Sequence, residues 1–160
     1  MIVRKSFQFR LRLTKKQARA LQAQLDECRW LYNELLAQRK LSHEDLDISL
    51  SKYQQSMLIP LLKMDRPTLT QVHSQVLQNV VDRLDKAFQG FFRRIKEGET
   101  PGFPRFRGRD RYNSFCYPQS GFSYDGNEVK LSKIGTIRVK AHRQIQGEIK
   151  TCTIRKNSRR

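Results

Sequence analysis

Cysteine and histidine are scarce in this chain. Its 160 residues include three cysteines and three histidines. Cys28, Cys116 and Cys152 lie far apart and form no C-x-x-C pair. This arrangement excludes the usual ligand spacing of a structural zinc site and gives no disulfide framework. We therefore expect reduced thiols, no metal site and no cofactor.

Long apolar runs are also missing. The first ten residues, MIVRKSFQFR, are interrupted by charges, so they lack the apolar region of a signal peptide. No later stretch resembles the roughly 20 apolar residues that a membrane-spanning helix needs. We expect a cytoplasmic protein that does not have a membrane as a partner.

Acidic residues are few, and the charge is distributed unevenly. Lysine and arginine number 32 against 15 acidic residues, which gives a net charge of +17. Residues 1–16 hold six basic and no acidic residues, residues 17–100 hold twelve and eleven, and residues 101–160 hold fourteen and four. The excess positive charge therefore lies at the two ends. Basic side chains gain free energy by releasing counterions from phosphates, so this pattern indicates a polyanionic partner.

A set of residues for catalysis is missing as well. A metal-dependent nuclease needs several carboxylates that converge on Mg²⁺, and the strand-rich carboxyl-terminal part offers only Asp110, Asp125, Glu128 and Glu148. No glycine-rich phosphate loop is present, and no combination of Ser, His and Asp stands out. We predict no catalytic residue and no enzymatic activity for this chain by itself.

The two basic ends of the chain have the patterns of β-strands. Apolar and polar residues alternate over 2–13, which is typical of a half-buried strand with a basic outer face. Residues 102–156 contain further alternating runs and a hairpin signal at Asp125–Gly126. Because one strand is unstable alone, we expect the first segment to join the sheet of the carboxyl-terminal part.

The middle of the chain has the period of helices. A capping box at Thr14–Gln17 predicts a helix to about Lys40. Helical patterns follow over 51–64 and from a predicted cap at Thr68 to the residue before Gly98. We therefore predict an α+β fold, a small split β-barrel interrupted by a helical insert. The predicted divisions are 1–13 for the first barrel strand, 14–99 for the insert, 100–156 for the rest of the barrel and 157–160 for a basic tail.

Residues 101–117, PGFPRFRGRDRYNSFCY, alternate arginine with aromatic residues. Guanidinium groups pair with phosphates and stack on bases, and aromatic rings stack on unpaired bases. The combination favours contact with structured or single-stranded RNA. We expect Phe103 and Phe106 to pack in the barrel, and we expect the arginines at positions 105, 107, 109 and 111 to contact nucleic acid.

Seven short stretches, spread in order over nearly the whole chain, carry a family resemblance. They read KSFQFRLRL, CRWLYNELL, LQN, KAFQGFF, GFPRFR, LSKIG and IQGEI. In order and spacing they resemble the amino-terminal part of TnpB, the OrfB-type transposase of insertion sequences. The resemblance implies a prokaryotic, transposon-encoded protein of the cytoplasm or nucleoid. It also implies a WED barrel that is split by a helical REC insert.

The resemblance also implies the partners, which are a guide RNA from the transposon end and double-stranded DNA next to the target. Tyr53 and Gln78 fall where such proteins face that DNA from REC, and residues 115–117 match the WED segment on its other side. Together with the basic residues, this gives a predicted nucleic-acid-binding set of Arg4, Lys5, Arg10, Arg12, Tyr53, Gln78, Arg105, Arg107, Arg109, Arg111, Tyr112, Phe115 and Tyr117.

Relatives in this family continue with a RuvC-like nuclease domain, whose acidic residues have no counterpart in this chain. We therefore expect a truncated form that binds guide RNA and target-adjacent DNA without cleavage. Two alternatives stay open. One is a guide-free DNA-binding protein in which helices 15–40 and 69–97 act like a helix-turn-helix. The other is a non-functional remnant of a transposase. The target-adjacent motif and the oligomeric state are left open.

Overall fold

The computed structural model describes residues 1–157, and within them the fold is α+β, as predicted. The predicted basic tail therefore lies outside the described residues from position 158 onward. The helices are α1 (Lys15–Leu46), α2 (Lys52–Asp65) and α3 (Ser74–Lys96), with a short 3-10 helix at Pro67–Gln71. The strands are β1 (Arg10–Arg12), β2 (Ser114–Tyr117), β3 (Phe122–Tyr124), β4 (Glu128–Leu131), β5 (Gly135–Lys140) and β6 (Cys152–Arg155).

The first strand pairs with the carboxyl-terminal third, which confirms the expectation from its alternation. β1 runs antiparallel to β5, with Arg10 opposite Lys140, Leu11 opposite Val139 and Arg12 opposite Arg138. The strand is much shorter than the predicted 2–13. Its pairing stops at Arg10 because the partner strand ends at Lys140, so the residues before Arg10 have no ladder to join.

The strands form two antiparallel sheets, and neither closes into a barrel within residues 1–157. The larger sheet has the order β1-β5-β4-β3, and the smaller one pairs β2 with β6. The predicted hairpin at Asp125–Gly126 is confirmed, since it connects β3 to β4. The rings of Phe9 and Tyr124 lie 6.2 Å apart and bridge the two edges of the larger sheet. The edges therefore approach each other without forming a closed ladder.

The helices begin where side chains satisfy the free backbone amides. Thr14 accepts a hydrogen bond from the Gln17 amide at 3.2 Å, and the Gln17 side chain accepts one from the Thr14 amide at 3.0 Å. α1 then continues past the predicted end at Lys40 to Leu46. Thr68 does not cap the next long helix as predicted, because residues 67–71 form the 3-10 turn and α3 starts after His73.

Helices and sheets share one hydrophobic core. Its buried side chains come from α1, α3, β2, β4 and β5, and examples are Leu31, Leu35, Val80, Leu84, Phe115, Tyr117, Val129, Leu131 and Ile137. The predicted division into a barrel and an insert therefore describes the order of segments along the chain and not two separate cores. The strand-rich and helical parts bury their apolar side chains against each other. Within residues 1–157, no helix combines the length and apolar character that crossing a bilayer requires.

A buried polar network fixes α2 against the other two helices. The Arg39 guanidinium of α1 donates to Gln55 of α2 at 2.6 Å and to Asp85 of α3 at 2.9 Å. Gln55, which is fully buried, donates in turn to the Leu35 carbonyl at 2.8 Å. Removing one partner of such a network leaves a buried charge or dipole unpaired, so the three side chains depend on one another.

Candidate nucleic-acid interface

One face of the larger sheet carries a group of basic side chains, here called the sheet face. Alternation along each strand sends the apolar residues to the core and the basic residues outward. The sheet face comprises Arg10, Arg12, Lys130, Arg138 and Lys140, all of which are exposed. The sequence predicted contact by Arg10 and Arg12 only. The other three were missed because the register that places Arg138 and Lys140 opposite β1, and Lys130 opposite Thr136 of β5, is a non-local property.

The register of the sheet face places like charges directly opposite one another. Arg10 faces Lys140 and Arg12 faces Arg138 across the β1–β5 ladder. Opposed like charges destabilise a strand pair. Glu128 stands opposite Arg138 on the other side, yet no ion pair within residues 1–157 engages any sheet-face cation. The sheet-face cations therefore form no ion pair with a described residue and can bind an anion of another molecule.

In residues 101–113, here called the arginine loop, Phe103 and Tyr112 pack against the helices, whereas Phe106 and the arginines are exposed. Tyr112 is buried beside Tyr32 of α1, with ring centroids 5.9 Å apart. Phe103 packs edge-on against Phe88 and Phe91 of α3, at 5.5 and 5.3 Å. Exposed guanidinium groups alternate with these rings at Arg105, Arg107, Arg109 and Arg111.

Three aromatic residues of the predicted binding set are inaccessible in this structure. Tyr112, Phe115 and Tyr117 are exposed by only 7%, 1% and 0%, because they pack into the core from the end of the loop and from β2. They have no ring face to offer a base here. Burial also raises the pKa of both tyrosines above the usual range, so their hydroxyls stay protonated. Phe103 and Phe106 were both expected to pack in the barrel, but Phe103 packs on α3 and is 45% exposed, and Phe106 is 54% exposed.

The arginine loop has no regular secondary structure, but side chains of the helices hold it. Asn33 of α1 accepts a hydrogen bond from the Arg107 amide at 2.7 Å and donates one to the Arg107 carbonyl at 2.9 Å. Arg83 of α3 donates to the Ser114 carbonyl at 2.7 Å. The exposed arginines therefore project from a backbone that is fixed at both sides.

The remaining predicted residues are exposed but lie elsewhere. Arg4 and Lys5 belong to the exposed segment before β1. Tyr53, in the first turn of α2, is 73% exposed, and Gln78 is exposed on α3. An ion pair of 3.1 Å between Lys52 and Asp82 joins α2 to α3 next to both residues. The structure thus brings Tyr53 and Gln78 into one neighbourhood.

Two of the three cysteines are buried, and the potential metal ligands of residues 1–157 are dispersed. No three His, Cys, Asp or Glu side chains within residues 1–157 come together as a metal site would require. Burial raises the pKa of the Cys28 thiol to about 12 and that of Cys152 to about 11. Neither thiol is a nucleophile near neutral pH, because the thiolate is the reactive form.

Comparison with known proteins gives two similarities. Residues 1–45 match the family HTH_OrfB_IS605, which is described as a helix-turn-helix domain. The protein named "Putative RNA-guided DNA endonuclease InsQ", from Escherichia coli strain K12, is 30% identical over 156 residues. The chain is a relative of the OrfB-type (TnpB) transposase proteins. The resemblance inferred from the seven motifs is confirmed. The chain aligns over 93% of its own length but covers 37% of InsQ.

The residues that match the helix-turn-helix family form one strand and one helix. β1 and nearly all of α1 lie within residues 1–45, and α1 runs without interruption from Lys15 to Leu46. A helix-turn-helix consists of two helices joined by a short turn, and here the second helix, α2, begins after the matched segment. The family match therefore covers the strand that carries part of the sheet face.

We expect the Asn33→Ala substitution to loosen the arginine loop. It removes two hydrogen bonds that hold the loop backbone, which together contribute about 1–2 kcal/mol. Transient opening should become roughly 5- to 30-fold more frequent, and trypsin should cleave after the loop arginines faster by a similar factor. Asn79→Ala on α3, which removes an amide that does not bond the loop, is the control. Equal cleavage rates in the two variants would show that Asn33 does not hold the loop.

We expect Arg10→Glu to stabilise the fold. The substitution converts the opposed pair with Lys140 into an attractive pair worth roughly 0.2–1 kcal/mol. Urea unfolding at low salt should show the gain, and screening should remove most of it at about 1 M salt. Lys5→Glu makes the same change of charge outside the ladder and should have little effect. A loss of stability in Arg10→Glu would contradict the observed register.

Proposed function

We propose that this chain is the nucleic-acid-binding part of a TnpB-like protein. In this proposal the sheet face and the arginine loop bind the phosphates of a structured guide RNA, and the chain also contacts double-stranded DNA next to the target. The observation that carries the proposal is the opposed pairs Arg10/Lys140 and Arg12/Arg138. Such pairs cost stability in the free protein, and a bound phosphate backbone would remove that cost.

The distribution of ion pairs supports these surfaces over the helices. The bridges Arg39–Asp85, Lys52–Asp82 and Arg66–Glu27 all lie in the helical part, where they neutralise cations. Within residues 1–157, the basic residues of the sheet face and of the arginine loop have no such partner. Helix cations such as Arg19 and Lys96 also lack an ion pair with a described residue. Residues 17–100, however, hold twelve basic and eleven acidic residues, whereas residues 101–160 hold fourteen and four, so the net positive charge lies with the strands and the loop. This favours RNA read by shape and backbone over a helix inserted in a DNA groove.

We propose that the strand-rich and helical parts have the separate binding roles that the resemblance implies. Residues 1–13 and 100–156 would form the WED-like unit that holds RNA, and residues 14–99 would form the REC-like insert. The β1–β5 pairing supports this division, because it joins the two WED-like segments and makes the helices an insert between them. Tyr53 and Gln78 would contact the DNA duplex, which their exposure on neighbouring helices permits. The chain would bind without cleaving, since its described carboxylates do not cluster.

A guide-free DNA-binding protein is the second candidate, and the description of the matched family favours it. In that case the exposed cations of the helices should dominate binding. Four of these exposed cations are Arg19 and Lys40 on α1 and Lys86 and Lys96 on α3. A non-functional remnant is the third candidate, for which no tight binding is expected.

Two quadruple alanine variants with the same change of charge separate these candidates. The sheet-face variant replaces Arg10, Arg12, Arg138 and Lys140, and the helix variant replaces the four helix cations. We expect the sheet-face variant to bind structured RNA from the transposon end roughly 10- to 1,000-fold more weakly at about 0.1 M salt. Its log–log salt slope should be less steep by about 3, because four phosphate contacts are lost.

The measurement is fluorescence anisotropy of labelled RNA and of labelled duplex DNA across a salt series. We expect the helix variant to retain most of the affinity for RNA. A larger loss in the helix variant than in the sheet-face variant would support the guide-free candidate and contradict our proposal. Weak, equal binding of every nucleic acid by the unaltered chain would favour a remnant.

A further inference from the structure

A cleft of about 580 Å³ separates α1 from the arginine loop. It lies beside the loop arginines but has a different composition from the cationic surfaces. Two aromatic rings, three arginines and two carboxylates are among its lining residues: Trp30 and Phe106, Arg29, Arg66 and Arg109, and Asp26 and Glu34. Neither a core nor a simple phosphate site requires this combination.

The aromatic part of the cleft is held in position. The guanidinium carbon of Arg66 lies 4.8 Å from the centre of the Trp30 ring. Arg66 is in turn fixed by two hydrogen bonds to Glu27, at 2.8 and 3.2 Å. On the other side of the cleft, Phe106 projects from the loop with 54% of its surface exposed. An exposed ring that lines a cleft opposite a fixed ring is suited to stacking on a planar ligand.

The polar part of the cleft has unused hydrogen-bonding capacity. The Nε–H of Arg29 is buried and has no acceptor within residues 1–157. Asp26 accepts one hydrogen bond, through Oδ1 from Gln22 at 3.0 Å. Glu34 forms no ion pair with another described residue. Carboxylates repel a free phosphate but accept hydrogen bonds from base N–H groups, while arginines donate to phosphate.

We infer that this cleft binds one unpaired guanine nucleotide of the nucleic acid that the chain carries. The base would lie against Trp30 and Phe106, and its adjacent N–H donors would be accepted by the carboxylate of Glu34. Arg29 and Arg109 would contact the flanking phosphates. Guanine is favoured because its Watson–Crick edge places two N–H donors side by side, as a carboxylate requires. The inference rests on the proposed nucleic-acid binding and adds a base preference to it.

The only tryptophan of the chain lies in this cleft, so its fluorescence reports on the cleft directly. The probes are octauridine and an octauridine with one central guanosine, each measured by tryptophan quenching and, with a 5′ label, by anisotropy. We expect the guanosine oligonucleotide to quench Trp30 strongly and to bind roughly 5- to 30-fold more tightly. Octaadenosine, which stacks but lacks the paired donors, should quench without that preference.

Two substitutions test the assigned roles. Glu34→Gln removes a negative charge, so we expect octauridine to bind slightly more tightly while the preference for guanosine is lost. Phe106→Ala should reduce both quenching and the preference. Arg138→Ala on the sheet face is the matched control, and it should weaken all three oligonucleotides by the same factor.

Binding by anisotropy without tryptophan quenching would overturn the cleft assignment and leave the proposed function intact. Quenching that is equal for guanosine and uridine oligonucleotides would overturn the base preference. The absence of any octanucleotide binding by either readout would overturn the cleft assignment alone, whereas failure to bind structured RNA and duplex DNA in the salt series would overturn the proposed function.

Discussion

The pairing of β1 with β5 is the interaction on which the rest of the structure depends. Three residue pairs join positions 10–12 to positions 138–140 and close a loop of more than 120 residues. Loop-closure entropy grows only slowly with length, so Leu11 and Val139, which pack against the shared core, can offset it. The same pairing sets the charge geometry, because it places Arg10 and Arg12 opposite Lys140 and Arg138. The architecture and the cationic sheet face thus have one origin.

A consequence is that the helical and strand-rich parts have different electrostatic roles. Three cations of the helical part, Arg39, Lys52 and Arg66, form ion pairs, and residues 17–100 as a whole are nearly neutral, with twelve basic and eleven acidic residues. The sheet face and the arginine loop keep their cations unpaired within the described residues. Side chains of the helices nevertheless shape the binding surface, since Asn33 holds the backbone of the arginine loop and Trp30 forms one wall of the cleft beside it.

Local features of the fold were predictable from the sequence, whereas register and burial were not. The alternation around β1, the capping box at Thr14 and the Asp125–Gly126 turn each depend on neighbouring residues, and each prediction is confirmed. The length of β1 depends on where β5 ends, which is a tertiary property. Tyr112 and Phe106 stand six residues apart in the same arginine-rich stretch, but Tyr32 buries one ring and leaves the other exposed. Composition alone does not distinguish two such rings.

A cross-strand disulfide tests the central pairing most directly. Leu11 and Val139 are directly opposite, and opposed residues of antiparallel strands have Cα separations within the range of disulfides. The double variant Leu11→Cys/Val139→Cys should cross-link rapidly under mild oxidation, as mapped by mass spectrometry of its peptides. The control Leu11→Cys/Lys140→Cys places the two thiols on opposite faces of the sheet, and it should cross-link far more slowly. Equal rates in the two variants, or no cross-link between positions 11 and 139, would contradict the account.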